Sequence, residues 1–226
     1  MSTIAEAFRA ALARTLLPPT CCLCGARSRV VARDLCGECV KLLPVNGAPA
    51  CGGSPLFVAT LVRVVVPFHY AYPVDHWIRA LKFSGERVYA RVLGLLLADA
   101  FRALRQEPPQ CLMPIPLHAS RYRHRGFNQA AEIARFAAAA LDLPVEDRCL
   151  VRRVATAEQS GLSLARRRTN VRGAFVAVRK PDATRVALVD DVLTTGSTAL
   201  AAAQALLAAG VKEVELWACA RVLPTD

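Results

Sequence analysis

Short apolar runs alternate with segments of helical periodicity along most of the chain. Residues 186–189 form an apolar run with valine at both ends, a pattern typical of a strand covered on both faces in a parallel sheet. The β-branched and aromatic run 60–70 and the proline-ended run 111–117 predict two more strands. Apolar spacing or alanine content predicts helices in three further segments, 88–104, 128–141 and 199–209. The pattern therefore predicts an α/β fold with a mostly parallel sheet flanked by helices.

The first 17 residues predict a short amphipathic helix. Apolar residues recur there about every four positions, with Glu6, Arg9 and Arg14 between them, unlike the continuous apolar core of a signal peptide. No run of the chain approaches the ~18 uncharged apolar residues that a membrane span needs. We therefore expect a cytoplasmic protein with no integral membrane segment, whose cysteines are in a reducing compartment.

Two CxxC pairs dominate the first quarter of the chain, which holds six of its nine cysteines. The spacing of Cys21, Cys24, Cys36 and Cys39 matches a tetrahedral structural zinc site. A disulfide pair and a redox CxxC are the alternatives, and a reducing compartment disfavours the first. The Gly- and Pro-containing stretch 47–55 indicates a linker. We predict a zinc-ribbon module with the N-terminal helix in 1–55 and a second domain in 56–226.

Two carboxylates and a loop of hydroxyl groups follow the predicted strand 186–189. Adjacent strand residues point to opposite faces, so we expect the strand to end at Asp190 and Asp191, where both acids can serve one ligand. Hydroxyl and backbone N–H donors before the helix 199–209 favour an anion, and they belong to Thr194, Thr195, Gly196, Ser197 and Thr198. A Walker motif is excluded because no lysine precedes the Ser/Thr residues. Together these groups predict a site for a ribose 5-phosphate.

Positive charge is concentrated in one third of the chain. The net charge is +11, and residues 111–180 hold thirteen Lys/Arg against five Asp/Glu. Such a cluster beside a sugar-phosphate site favours a polyanion, either pyrophosphate or a nucleic-acid backbone. Its centre is a predicted basic loop with Arg121, Arg123 and Arg125. Lys82, near the end of a predicted helix over 73–82, is either a further phosphate ligand or a solvated cation.

The polar stretch 156–170 predicts a mobile lid. It has little to bury and is longer than an ordinary connection, as functional loops often are. A helix with a solvated basic face is the alternative. The residues assigned to this flexible loop are Gln159, Arg166, Arg167, Arg168 and Asn170.

Residues 189–198 closely resemble the PRPP-binding signature of type I phosphoribosyltransferases. Over nearly the whole chain, the order of landmarks resembles the ComF family, in which a zinc ribbon precedes a phosphoribosyltransferase domain. These landmarks are the two CxxC pairs and the segments 80–85, 114–117, 125–129, 159–163, 166–175 and 189–198. The chain departs from the family where a third CxxC is often completed, because Ala48 stands in place of a partner for Cys51.

This resemblance implies a type I phosphoribosyltransferase fold and Mg²⁺-dependent transfer of a phosphoribosyl group with release of pyrophosphate. Asp190 and Asp191 would hold the ribose hydroxyls, the loop 194–198 would bind the 5-phosphate, and Lys82 with the 121–125 segment would neutralise the leaving group. The residues do not predict the acceptor, whether a purine base or an amine. The family's association with competence implies a second hypothesis, a non-enzymatic protein that binds single-stranded DNA together with proteins of the competence machinery.

Overall fold

The computed structural model describes residues 20–27, 34–47, 59–154 and 173–222. The chain divides into two compact units, residues 1–43 and 44–226. Residues 44–47 are joined to the larger unit by hydrogen bonds, one of them from the N–H of Asn46 to the carbonyl oxygen of Pro67 at 2.7 Å. The predicted N-terminal helix in residues 1–17 and the predicted linker boundary near residue 55 lie outside the described residues and stay predictions.

The smaller unit contains one described helix, α1 (Gly37–Lys41). The strands of the larger unit are β1 (Arg63–Val65), β2 (Phe68–His69), β3 (Cys111–Pro114), β4 (Leu150–Arg152), β5 (Phe175–Ala177), β6 (Arg185–Leu193) and β7 (Glu213–Arg221). Its helices are α2 (Val74–Arg79), α3 (Val88–Ala103), α4 (Ala119–Arg125), α5 (Gln129–Leu141) and α6 (Ser197–Ala208), and a π-helical turn (Ala80–Ser84) follows α2 directly.

A parallel sheet forms the centre of the larger unit. Its strand order is β1-β7-β6-β3, and β2 pairs with the far end of β7. β4 and β5 form a separate antiparallel pair. The predicted fold class, mixed α/β with a mostly parallel central sheet, is therefore confirmed. The predicted strand 60–70 is interrupted between β1 and β2 at Pro67, which has no backbone N–H to donate.

The two faces of the sheet bury different kinds of side chains. On one face, Val186 and Leu188 belong to an apolar core that includes Ala202 and Leu206 of α6. On the other face, the ring of Trp217 stacks on Phe101 of α3, with 4.5 Å between ring centroids. Because both faces are covered, the central strands are almost fully buried, as expected for a parallel sheet. The carboxyl ends of the strands are not covered by these two layers of side chains.

None of the described helices is both long enough and apolar enough to cross a membrane.

Candidate functional site

A cleft of about 410 Å³ lies at the carboxyl ends of β3, β6 and β7. This volume lies within the ~300–1,000 Å³ that is usual for small-molecule sites, and the position is where open α/β sheets bind ligands. Polar and charged side chains contribute much of its lining. These are Tyr70, Lys82, Arg121, Arg125, Gln129, Arg152, Asp190, Asp191, Thr194 and Thr198.

The two acids lie inside β6, which continues to Leu193. The prediction that the strand ends at Asp190 was therefore wrong, because β6 stays paired with β7 beyond the acids, through Leu193 and Arg221. Asp190 is half-buried, whereas Asp191 is only 3% exposed. Both still border the cleft, which crosses the end of the strand.

Lys82 is an ion-pair partner of Asp191. Its ammonium nitrogen lies 2.7 Å from Asp191 Oδ2, and the two side chains are 22% and 5% exposed. Lys82 is therefore not the solvated cation of one sequence-based alternative. It lies in the π-helical turn, which ends at Gly85 with a φ of 70°, and single π-helical turns occur frequently at functional sites. Burial opposes the charge of Lys82, but the nearby Asp191 carboxylate more than compensates and raises its pKa.

Asp190 has an unusually basic carboxyl group. Burial raises its pKa to about 7, and the negative charge of Asp191 adds to the rise, while the charge of Lys82 opposes it. The backbone N–H of Asp191 donates a 2.9 Å hydrogen bond to Asp190 Oδ1. Asp190 therefore changes its charge near neutral pH, as groups in functional sites often do.

The hydroxyl loop leads directly into the N-terminus of α6. Gly196 precedes the helix with a φ of 75°, a conformation that favours glycine. The hydroxyls of Thr195 and Ser197 lie 2.9 Å apart. Gly196 has no side chain that could cap the helix, and the hydroxyl of Thr195 accepts a long hydrogen bond of 3.4 Å from the N–H of Ser197. The backbone N–H groups that follow, with the positive end of the helix dipole, favour an anion in the adjoining cleft. Thr194, Gly196 and Thr198 line that cleft.

The predicted basic loop is the helix α4, so that part of the prediction was wrong. Arg121 and Arg125 are four residues apart on this helix and therefore share a face, which borders the cleft. Arg123 lies outside the cleft lining and borders a neighbouring groove with Tyr122. Arg125 donates a hydrogen bond to Gln129 and lies over the ring of Phe83, 5.8 Å from its centroid.

Sequence reasoning missed three polar side chains of the cleft, Tyr70, Gln129 and Arg152. Arg152 ends β4 and covers the ring of Phe175, with its guanidinium carbon 5.3 Å from the centroid. Burial lowers the pKa of Arg152, and the nearby positive charge of Arg121 lowers it further. Two guanidinium groups therefore lie close together in the cleft. The available signal was the arginine pair at 152 and 153 within the basic third of the chain.

The predicted lid lies outside the described residues, which resume at 173. The assignments of Gln159, Arg166, Arg167, Arg168 and Asn170 therefore stay predictions.

The smaller unit brings together the four cysteines of the CxxC pairs. The sulfur atoms of Cys21, Cys24, Cys36 and Cys39 all lie within 4.8 Å of one another, and those of Cys24 and Cys36 are 3.7 Å apart. Tetrahedral zinc with Zn–S bonds of ~2.3 Å requires a similar spacing, about 3.8 Å. Backbone N–H groups of Cys36, Cys24 and Leu23 outweigh burial and lower the pKa of Cys21 to about 6. This cluster can bind zinc.

The fold and the cleft define a mixed α/β protein with a charged site at the carboxyl end of its sheet. No family model matches the chain. It is 34% identical over 204 residues to competence protein F of Haemophilus influenzae, which covers 87% of this chain and 89% of that protein. It is 31% identical over 224 residues to DNA utilization protein YhgH of Escherichia coli K12, which covers 92% and 99% of the two chains. The chain therefore belongs to the ComF family of competence protein F and YhgH.

Two solved structures are more distantly similar. Glutamine phosphoribosylpyrophosphate amidotransferase from B. subtilis, complexed with ADP and GMP, is 23% identical with a TM-score of 0.37, over 56% of this chain and 25% of that one. TT1426 from Thermus thermophilus is 20% identical with a TM-score of 0.34, over 61% and 84% of the respective chains.

Proposed function

We propose that the cleft binds PRPP and that the protein is a phosphoribosyltransferase. The observation that carries this proposal is the meeting of three kinds of groups in one cleft: carboxylates, a helix N-terminus with hydroxyls, and arginines. PRPP presents their complements, which are ribose hydroxyls, a 5-phosphate and a pyrophosphate. The order along the chain, Asp190 and Asp191 followed by Thr194–Thr198, supports the same assignment through its resemblance to the PRPP-binding signature.

Each part of the cleft has a separate task in this proposal. Asp190 accepts hydrogen bonds from the ribose hydroxyls and opposes the positive charge that develops on the ribose. The donors at the start of α6 hold the 5-phosphate, and Arg121 and Arg125 hold the pyrophosphate. In the reaction, the acceptor bonds to C1 and gives up a proton, while the bond from C1 to the pyrophosphate oxygen breaks. The electron pair of that bond leaves with pyrophosphate.

Magnesium fits this proposal through the oxygens of the ligand. Asp191 Oδ2 faces the ammonium of Lys82, and Asp190 is partly protonated near neutral pH, so both acids suit sugar hydroxyls better than a bare cation. The pyrophosphate and ribose oxygens would hold Mg²⁺, which when bound neutralises charge on the leaving group.

Calorimetric titration of the full chain with PRPP and Mg²⁺ tests the binding. We expect Asp190→Asn to weaken binding by about 1–3 kcal/mol, the usual scale for a hydrogen bond to a charged group. Asp182→Asn is the matched control, because Asp182 is exposed and precedes β6 at the opposite end of the strand. Equal affinity in wild type and Asp190→Asn would contradict the assignment.

Pyrophosphate release over a panel of bases and amines tests the transfer reaction and identifies the acceptor. Release with one acceptor class, abolished in Asp190→Asn, supports the enzyme. PRPP binding without release for any acceptor overturns the transferase and leaves a PRPP-binding protein.

The second candidate function is binding of single-stranded DNA, and the exposed ring of Phe83 favours it. Phe83 is 74% exposed in a groove shared with Lys82, Arg121, His124 and Arg125. Exposed aromatic rings next to cations form sites on which bases stack while phosphates are neutralised. The nearby Phe127, by contrast, is only 8% exposed and lies under Arg87. The names of the competence and DNA utilization relatives support the same candidate.

Fluorescence titration with a short oligonucleotide tests this candidate. Phe83→Ala should weaken binding by about 1–3 kcal/mol, the scale of base stacking on one ring, and Phe83→Tyr should retain it. If arginines contact the phosphates, a plot of the logarithm of the DNA association constant against log [salt] should have a slope of about −0.7 for each phosphate neutralised. Replacing Arg121 and Arg125 by Ala should make that slope less steep. An unchanged slope, or equal affinity in both Phe83 variants, would contradict DNA binding in this groove. Mutual exclusion of DNA and PRPP would indicate one shared surface.

A further inference from the structure

Lys82 already pairs with the carboxylate of Asp191. Without Lys82, this carboxylate would be available to another cation near the carboxyl end of β6. Asp191 Oδ2 is buried, and the ammonium of Lys82 lies 2.7 Å away as its ion-pair partner. Asp190 is the next residue of the strand, so two carboxylates and one ammonium share this end of β6.

The fold holds the ammonium in place. Lys82 lies in the middle of the π-helical turn, between α2 and Gly85, and most of its side chain is buried. A buried cation without a partner is unfavourable, and the same holds for the buried carboxylate of Asp191. Each group therefore stabilises the charged form of the other. Adjacent carboxylates without such a partner would suit a hard divalent cation, which prefers oxygen ligands.

We propose that Lys82 is a built-in countercation that excludes divalent metal ions from Asp191 in the free protein. The empty cleft accordingly takes up little Mg²⁺ or Mn²⁺, and a metal ion enters only together with the oxygens of a phosphorylated ligand. The second clause rests on the proposed function, whereas the exclusion of metal from the free protein does not.

Mn²⁺ titration of the zinc-loaded full chain tests the exclusion directly. Binding is measured as the loss of the electron paramagnetic resonance signal of free Mn²⁺. Lys82→Met keeps an apolar stem and removes the charge, and Lys82→Gln keeps a polar end without charge. We expect both variants to bind Mn²⁺ at least tenfold more tightly than wild type. Adding Asp191→Asn to either variant should remove the gain. Lys82→Gln keeps the test decisive if the methionine variant does not fold.

Lys212→Met is the matched control, because Lys212 is exposed and precedes β7 at the opposite end of the sheet. It makes the same change in net charge and should bind Mn²⁺ as wild type does. Equal affinity of wild type and a folded Lys82 variant would overturn the inference. Tight binding to wild type that is lost in Asp191→Asn would overturn it as well.

A separate titration distinguishes this inference from the proposed function. Wild-type protein is titrated with PRPP with and without Mg²⁺. Absence of PRPP binding overturns the proposed function and leaves the Mn²⁺ result on Lys82 standing. PRPP binding combined with equal Mn²⁺ affinity in wild type and the Lys82 variants overturns the inference about Lys82 and leaves the proposed function standing.

Discussion

Asp190 couples the stability of the larger unit to pH. Burial and the charge of Asp191 raise its pKa from 3.8 to about 7, although the charges of Lys82 and Arg152 oppose this. A carboxyl group with a higher pKa in the folded state binds its proton more tightly there, so the unfolded state ionises first as pH rises. The free energy of unfolding should therefore fall between about pH 4 and 7, by up to about 4 kcal/mol at 1.36 kcal/mol per pKa unit.

Urea denaturation between about pH 5 and 8 measures this effect as the difference between wild type and Asp190→Asn. The difference should change with pH up to about 7 and stay constant above it. Asp182→Asn should follow wild type throughout. A constant difference between wild type and Asp190→Asn across the window would contradict the raised pKa.

Arg152 offers a second test on single residues, because its sequence neighbour provides the control. Arg152 borders the cleft next to Arg121, whereas Arg153 is exposed outside it. If the cleft holds pyrophosphate, Arg152→Gln should weaken pyrophosphate binding by about 1–3 kcal/mol, as for a charged hydrogen bond. Arg153→Gln makes the same change in net charge and should have little effect. Calorimetry with pyrophosphate alone measures both, and equal losses would indicate only a general effect of charge.

Single residues also show where sequence reasoning ends. The acids and the hydroxyl loop could be predicted because their chemistry lies within nine consecutive residues, 190–198. The contact between Lys82 and Asp191 could not, because it joins residues far apart in the chain and depends on the π-helical turn. The burial of Asp191 was missed for the same reason, since the turn that covers it is not adjacent in sequence.

At the scale of elements, the helix α4 and the strand β7 escaped prediction for physical reasons. No residue of α4 is buried, so the segment has no apolar periodicity to indicate a helix. Its start is capped by His118, whose Nδ1 accepts a hydrogen bond from the N–H of Ser120 at 3.2 Å. In β7, Glu215 interrupts an otherwise apolar strand, yet it is fully buried because Arg63 and Trp217 satisfy its carboxylate, at 3.0 and 2.9 Å.

The contact between α3 and α5 gives a prediction about packing. A Cβ atom on Gly94 of α3 would lie 2.6 Å from the carbonyl oxygen of Ile133 and 2.7 Å from Cβ of Phe136, both in α5. Because backbone cannot yield as a flexible side chain does, Gly94→Ala should destabilise the larger unit by about 1–3 kcal/mol, the usual cost of overpacking. Gly47→Ala is the control, since nothing lies within 4 Å of its added Cβ. Similar unfolding midpoints for the two variants would contradict this prediction, because they would show that α3 and α5 can move apart with little loss in the free energy of unfolding.

For the whole molecule, the alternation of apolar runs and helical segments predicted the class of fold but not the order of the strands. Nothing in the sequence places β7 between β1 and β6, because that order depends on which buried faces fit together. The CxxC pairs, by contrast, predicted which four thiols meet, since each pair is local and the two pairs lie in one small unit. Cys22 cannot form a CxxC pair of its own, because Gly25 stands three residues after it, and Cys22 is absent from the described cluster.

The cysteine cluster leads to a prediction about how the two units depend on metal. A unit as small as residues 1–43 buries little apolar surface, so we expect zinc to supply much of its stability, whereas the larger unit has its own core. Metal analysis should find about one zinc per chain by the four-ligand count. Cys24→Ser should lose it and Cys22→Ser should keep it, a matched pair because both residues lie in the same CxxC turn and only Cys24 belongs to the cluster. Cys24→Ser should leave the urea midpoint of the larger unit near that of wild type. Zinc retained in Cys24→Ser, or lost equally in Cys22→Ser, would show that these four thiols are not the ligands.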